Sequence, residues 1–395
     1  MSLSAILLVT LVAQPVVADH AGPRYRATVY PPIANFESAY PGALTPAGAI
    51  VGQASPKPFN PQSIAVMTAK VGLSELPTDA DSYNQALGAS IGGLVVGMAG
   101  SAPWYWLEGA GAALSPLPGY LQGAAWDANA SGLIVGNHVN DLFGLDIPVY
   151  WPAFDAEAIE LPFPGGLGGS GGAAFAVNDA GEIAGIAAPT GFFQAVRWDD
   201  VRSDPITIGP LPGAVGGEAR AINGVGDIAG RSTFPDLSVH AMLHKRFENE
   251  VVDLGVLGGS FSEALGINDE RQVVGVSSTG GPGHGFLWEA GTLYDLNDLI
   301  VSTNESFLYV SQAVDIDAAG RIAAEVVVGK VVDGARRIAL LERCQSADLD
   351  CDGSVDGADL GALLAQWGTP GNADLDGSGI VDGADLGSLL AAWTG

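Results

Sequence analysis

One eight-residue pattern, N-x-x-G-x-[IV]-[AV]-G, recurs along most of this chain and constrains its fold more than any other feature. Its clearest copies run from Asn178 to Gly185 and from Asn223 to Gly230, followed by Asn268 to Gly275 and Asn129 to Gly136. Weaker copies run from Thr45 to Gly52, Ser90 to Gly97 and Asp317 to Ala324. The last position falls at 52, 97, 136, 185, 230, 275 and 324, at intervals of 45, 39, 49, 45, 45 and 49 residues. A recurring period of this size is the signature of a propeller or a solenoid. The chemistry of the pattern is that of a turn entering a strand. Asn or Asp opens a turn by bonding its own backbone, glycine takes the left-handed position, and Ile/Val-x-Gly follows as a strand.

A second landmark lies further along each unit, at the end of an apolar strand: Met67, Trp106, Trp151, Trp198, His244, Trp288 and Leu341. These residues read as packing between units. A further strand and a Leu-Pro-Gly or Leu-Gly-Gly turn follow, as at Leu211-Pro212-Gly213 and Leu257-Gly258-Gly259. Four short strands in roughly 45 residues make one propeller blade. The seventh unit lacks a fourth strand before Cys344, and the chain begins with an unassigned strand, Tyr25 to Tyr30. That segment can supply the missing strand and latch the ring, which removes open edges. An open β-solenoid is the competing fold; it needs caps that the sequence does not show.

Near the C-terminus stand two acidic stretches, Asp348 to Asp359 and Asp374 to Asp385, 26 residues apart. Each places oxygen side chains at positions 1, 3, 5, 9 and 12, with glycine at position 6. This is the spacing of an EF-hand-type calcium loop. The first stretch offers Asp348, Asp350, Asp352, Asp356 and Asp359; the second offers Asp374, Asp376, Ser378, Asp382 and Asp385. Ser354 and Ile380, at position 7, would contribute backbone carbonyls. With four aspartates against five, the second site is expected to bind more weakly. The competing explanation, an acidic flexible tail, has no need of the spacing. Each loop runs into an apolar segment at helical spacing: Leu360, Leu363, Leu364 and Trp367, then Leu386, Leu389, Leu390 and Trp393. The two halves are expected to pack these Leu and Trp faces together, with two calcium ions stabilising a core too small to hold alone.

The loop-helix, turn, loop-helix arrangement of residues 344–395 resembles a type I dockerin. The resemblance implies metal ligands at the ten side chains named above, and a cohesin-like or other cell-envelope protein as partner. At positions 10 and 11, where dockerins usually carry hydroxyl or basic residues, this chain has Gly357-Ala358 and Gly383-Ala384. The repeats are similar to the HAF repeats of bacterial extracellular proteins. The closest stretch runs Val252 to Ser260, Ala264 to Asn268, Val273 to Gly275 and His284 to Trp288. That likeness implies an exported repeat domain and brings no catalytic residues with it.

The fold expected is therefore mainly β: a seven-bladed β-propeller at 24–343, plus a small α-helical calcium-loop domain at 344–395. Residues 1–18 are apolar or small and end Val16-Val17-Ala18, which reads as a secretory signal peptide. No other segment is long and apolar enough to span a bilayer. The protein is expected at the cell surface or outside the cell. A net charge of −28 over 395 residues argues against nucleic-acid or anionic-membrane partners. Cys344 and Cys351 are the only cysteines; in an exported protein they form either a small disulfide or two free thiols, and geometry decides.

No catalytic set stands out. There is no H-E-x-x-H and no G-x-S-x-G elbow. His240 and His244 share a strand face, but no accompanying carboxylate is evident, and a role in the repeat is the simpler reading. The glycine-rich run 165–172 lacks a lysine and a following helix, so it reads as a loop between blades. Trp104 and Trp106 could stack on sugar rings, though core packing is the better reading. Two functions remain open. One is a non-catalytic exported binding or scaffold protein that docks through the calcium module. The other is a polysaccharide-acting enzyme, a glycoside hydrolase or lyase, with its active site in the propeller channel. Paired carboxylates in the channel would favour the enzyme; a channel lined by Gly, Ala and Val would favour the binding protein, and the repeats place small residues there.

Overall fold

The computed structural model describes residues 22–56, 62–70, 72–78, 83–140, 145–163, 171–188, 193–329 and 334–394. The proposed signal peptide and most of the 165–172 run lie outside these residues. The chain divides into two compact units: Tyr25–Arg343, and Cys344–Gly395 together with the N-terminal segment ending at Arg24.

The first unit is a seven-bladed β-propeller. Six blades are four-stranded sheets whose strands follow one another in chain order. They span residues 38–75, 84–113, 123–160, 172–208, 216–255 and 262–295. The first strands of successive blades contact one another around the whole ring and form its inner wall. The seventh blade has three strands from 309–343, and Tyr25–Val29 completes it by pairing antiparallel with Ala335–Arg343. The ring is thus latched by its own N-terminal strand. A fifth strand, Ile300–Thr303, then pairs parallel with Tyr25–Val29. It follows a four-residue helix, Leu296–Leu299, and nothing in the repeat pattern announced it.

The glycine that ends each repeat sits in the second strand, opposite a β-bulge in the first. The bulge lies between Pro41 and Ala43, Ala86 and Gly88, Ala125 and Asp127, Ala174 and Ala176, Ala219 and Ala221, and Ala264 and Gly266. A bulge adds a residue to one strand and sharpens its local twist. Here it leaves the carbonyl before the bulge lying over the facing glycine. A Cβ at Gly97, Gly185, Gly230 or Gly275 would stand 1.9–2.0 Å from that oxygen. No other residue fits. The seventh blade has Ala324 at this position, and its first strand carries a second irregularity, between Val310 and Gln312.

The turn asparagines work as their chemistry suggests. Asn178 Oδ1 accepts the N–H groups of Ala180 and Glu182 at 3.1 and 2.9 Å, while Gly181 takes φ 85°. The bulky landmark residues pack between blades. Trp106, Trp151 and Trp198 are buried, and each indole N–H donates back to the preceding blade, to the carbonyls of Pro77, Ser115 and Pro162. One assignment is corrected. Register places Met67 opposite Val51, so Thr68 occupies the landmark position of the first blade, and its hydroxyl accepts the N–H of Ile50. A slip of one residue moves a side chain to the other face of a strand.

In the second unit the helices are Gly357–Ala365 and Gly383–Ala391. They pack over a small core of Ala347, Leu349, Val355, Leu363, Ala373, Val381 and Leu389. The expectation that all the Leu and Trp residues meet inside is corrected. Leu364, Trp367, Leu390 and Trp393 are exposed by 41–52%. Only one leucine per helix, Leu363 or Leu389, is fully buried, because nine residues turn too little apolar surface inward for a wider contact.

Candidate functional site

The two acidic loops share one backbone. Position 4 is left-handed in both, as Cys351 (φ 59°) and Gly377 (φ 72°), and so is position 6, as Gly353 (φ 100°) and Gly379 (φ 95°). Gly353 and Gly379 donate their N–H groups to the position-1 carboxylates, Asp348 and Asp374. The position-12 carboxylates, Asp359 and Asp385, are fully buried. Each accepts backbone N–H groups from positions 2, 3 and 9 of its own loop. For Asp385, burial works upward on the pKa, but the N–H groups of Asp382, Asp376 and Leu375 prevail and hold it below the usual carboxylate range. The position-9 residues, Asp356 and Asp382, cap the helices, each in a capping box with its position-12 partner.

Carboxylate oxygens of Asp348, Asp350 and Asp352 lie within 4.8 Å of one another, and so do those of Asp374, Asp376 and Asp385. The first three sequence-identified residues of loop one therefore converge. In loop two Asp385 joins the cluster, while Ser378 bonds the carbonyl of Ile380 at 3.2 Å. Ser354 donates its N–H to Asp352. Burial, then the carboxylates of Asp352, Asp359 and Asp348, raise the pKa of Asp350. Oxygen donors so spaced suit a hard cation. The halves interlock: Val355 bonds Thr394 beyond the second helix, and Val381 bonds Gly368 and Thr369 beyond the first.

Cys344 and Cys351 are paired as a disulfide, with Cα atoms 5.4 Å apart. It ties position 4 of the first loop to the start of the unit. Arg24 adds a second clamp, donating to the carbonyls of Gln345, Ser346 and Leu349.

In the propeller, the turns of all seven blades surround a cavity of 340 Å3 at one mouth of the channel. Asn129, Asn178, Asn223 and Asn268 stand around it. Each amide donates to the backbone carbonyl of the next blade's turn, ending at Asp317. Two carboxylates sequence reasoning missed stand two residues before their turns, Asp127 in the lining of this cavity and Asp315 in the seventh blade. Asp127 and Asp315 follow the bulge in their blades, where the other five carry Ala43, Gly88, Ala176, Ala221 and Gly266. Each accepts one N–H from its own strand and one from the next blade, Val177 at 2.9 Å and Leu44 at 2.8 Å. Both are half-buried by exposed surface, yet enough protein surrounds them that desolvation outweighs these bonds. It pushes Asp127 up to about 7 and Asp315 up to about 6. The signal available was the break in an otherwise small-residue position two places before each turn.

The innermost strands do not carry small residues alone. The bulged residues are Gly42, Leu87, Trp126, Phe175, Arg220, Leu265 and Val314. Trp126 meets Phe175 edge-on at 5.4 Å, and Arg220 lies 4.7 Å over the Phe175 ring. Arg220 and Arg231 each pair with both Glu218 and Glu263. The histidines do not form a metal pair. His240 bonds Asp253 at 2.8 Å, whereas His244 is buried four residues along the strand, too far at about 3.4 Å per residue to share an ion. Trp104 and Trp106 are core residues, 7% and 1% exposed.

No protein-family model matches the chain, and no curated protein matches it. Solved structures do share its architecture. An oligogalacturonate lyase from Vibrio parahaemolyticus is 10% identical over 81% of this chain and 90% of its own, with a TM-score of 0.50. TolB from Acinetobacter baumannii is 11% identical, with a TM-score of 0.47, and this chain spans 62% of its length. Identities this low speak to the fold alone, and the fold is a seven-bladed β-propeller. No helix among the described residues is long and apolar enough to cross a membrane.

Proposed function

We propose that this chain is an exported, non-catalytic binding protein. In this reading a HAF-type propeller presents the ligand surface, and a dockerin-like module at 344–395 binds two calcium ions for docking or surface attachment. The observation that carries the reading is the duplicated convergence of Asp348, Asp350 and Asp352 and of Asp374, Asp376 and Asp385. Asp359 and Asp385 would close the two sites, with backbone carbonyls of Ser354 and Ile380 completing them. The ion would supply the positive charge that these loops lack. The disulfide supports export, since such bonds persist in oxidising compartments.

Calorimetric titration of the mature chain with calcium tests the module. Two ions bound by the wild type, with one lost in Asp348→Ala and the other in Asp374→Ala, is the expected result. No calcium uptake by the wild type would overturn it. Capture of a cohesin-like or other envelope protein by the calcium-loaded chain, but not by the double variant, would establish docking.

A second reading, a polysaccharide-acting enzyme, draws on the half-buried carboxylates Asp127 and Asp315 at the channel. Both carboxylate oxygens of each already accept a backbone N–H, which favours a structural role. Release of sugar ends from acidic and neutral polysaccharides, lost in Asp127→Ala, would reverse that preference.

A further inference from the structure

The clasps between turns do not close the ring. Asparagine amides tie the third blade to the fourth and so on to the seventh. The first and second blades carry Thr45 and Ser90 instead. The Thr45 hydroxyl is spent within its own turn, accepting the N–H of Ala49 at 3.0 Å. Among the described residues no turn amide spans from Thr45 to the Ser90 turn, and the amide that does join these blades, Asn84 to the carbonyl of Ser63 at 3.2 Å, lies outside the turns. Beside this gap a cavity of 460 Å3 enters the cleft between the two blades. Met67, Leu76, Ile91, Val95, Trp106 and Leu107 form much of its wall, with Glu108 the one charged residue among the described lining.

This cleft adjoins the axial cavity, and the two share Pro46, Ala89, Ser90 and Ile91. Their linings differ sharply in chemistry. Among the described residues the axial cavity contains three carboxylates, Asp127, Asp179 and Asp269, and no Lys, Arg or His. Asp179 and Asp269 each accept one N–H from the preceding turn, of Ala130 and Gly224, and neither enters an ion pair among the described residues. Ile91, 66% exposed, stands where the apolar cleft meets the acidic mouth. A large exposed aliphatic side chain at a cavity junction is a ready contact for an apolar group.

We infer that the two cavities form one site for an amphipathic organic cation, its ammonium group held at the acidic mouth and its apolar tail in the cleft between blades one and two. The charge sets the head: an anion would meet the carboxylates of Asp179 and Asp269 and, among the described lining residues, no compensating cation. The apolar walls set the tail, and 460 Å3 accommodates a phenyl ring or a short alkyl chain. The inference names a ligand class for the binding role proposed above and rests on that role.

Phenethylammonium, 2-phenylethanol and 3-phenylpropanoate are suitable probes, titrated into the calcium-loaded mature chain by calorimetry and by saturation-transfer NMR. The ammonium is expected to bind about tenfold more tightly than the alcohol, and the carboxylate not at all. Asp179→Asn with Asp269→Asn should remove most of that advantage, bringing the ammonium to within about threefold of the alcohol. Thr45→Asn should bridge the cleft to the Ser90 turn and weaken both. Melting curves identify any variant that fails to fold, and the wild-type ranking of the three probes stands independently of the variants. Equal binding of all three, or of none, overturns the inference. Calcium uptake and glycan binding measured on the same samples report on the broader reading. Glycans bound equally by wild type and variants, with no ammonium bound, would remove this site and leave the binding role intact.

Discussion

The side-chain amide of Asn129 donates to the backbone carbonyl of Asn178, 3.0 Å away and 49 residues further along the chain. The same asparagine holds its own turn through Oδ1, which accepts the N–H groups of Ser131 and Leu133. One side chain thus closes a local turn and fastens one blade to the next. Asn129→Asp keeps the acceptor and removes the donor. Chemical denaturation should show a loss of about 1–2 kcal/mol, and Asn129→Ala a larger one. An Asp variant as stable as the wild type would show that the inter-blade bond contributes nothing.

Arg271 departs from the repeat, holding a left-handed φ of 59° where the other six copies carry glycine. Its guanidinium reaches back one blade to Asp227, whose side chain is fully buried, at 2.7 Å, and to Glu248 at 2.9 Å. Restoring the consensus with Arg271→Gly relieves a backbone cost of about 1–2 kcal/mol but strands a buried carboxylate, which costs about 3–5 kcal/mol. The variant should therefore melt at a lower temperature than the wild type.

Gly230 admits no side chain, since a Cβ would lie 1.9 Å from the carbonyl oxygen of Glu218. Gly230→Ala must displace the bulge of the fifth blade. Overpacking of this kind typically costs about 1–3 kcal/mol and here meets backbone, so the upper end or beyond is expected. Ala324→Gly, at the same position of the seventh blade, should cost under about 1 kcal/mol. Parallel denaturation curves of the two variants test the contrast.

Asp127 and Asp315 have pKa values raised to about 7 and about 6 by desolvation. The folded chain keeps protons there that the unfolded chain releases near pH 4. Stability from these groups is therefore complete below about pH 4 and falls as pH rises toward 7. Asp127→Ala with Asp315→Ala, which installs the residue of the first, fourth and fifth blades, should flatten that fall. Melting temperatures measured from pH 4.5 to 7.5 on both proteins isolate the effect, because the acidic loops contribute equally to each.

The disulfide fixes Cys351, at position 4 of the first acidic loop, where the second loop has Gly377. Cys344→Ser with Cys351→Gly should weaken calcium binding at the first loop and leave the second unchanged. A two-site titration reads this directly. Equal weakening of both loops would mean that the bond stabilises the whole unit rather than one site.

The number of blades, the turn at each asparagine and the N-terminal latch were legible in the sequence, because each depends on local periodicity or on a half-unit left over at an end. The acidic loops were legible for the same reason: alternate aspartates and a glycine at position 6 are a local code. The meaning of the repeat-ending glycine was not, since it is set by a bulge on another strand that no spacing reveals. Nor was the cluster that Trp126, Phe175 and Arg220 form at the bulged positions of three successive blades, because motif counting sees only the small residues beside them. Asp127 and Asp315 escaped notice because their significance lies in N–H groups of the next blade. The pairing of the cysteines and the open cleft between the first two blades were likewise decided by tertiary structure. Contacts between residues 40 to 50 positions apart depend on register, twist and which side chain fills a gap, and only the closed ring settles those together.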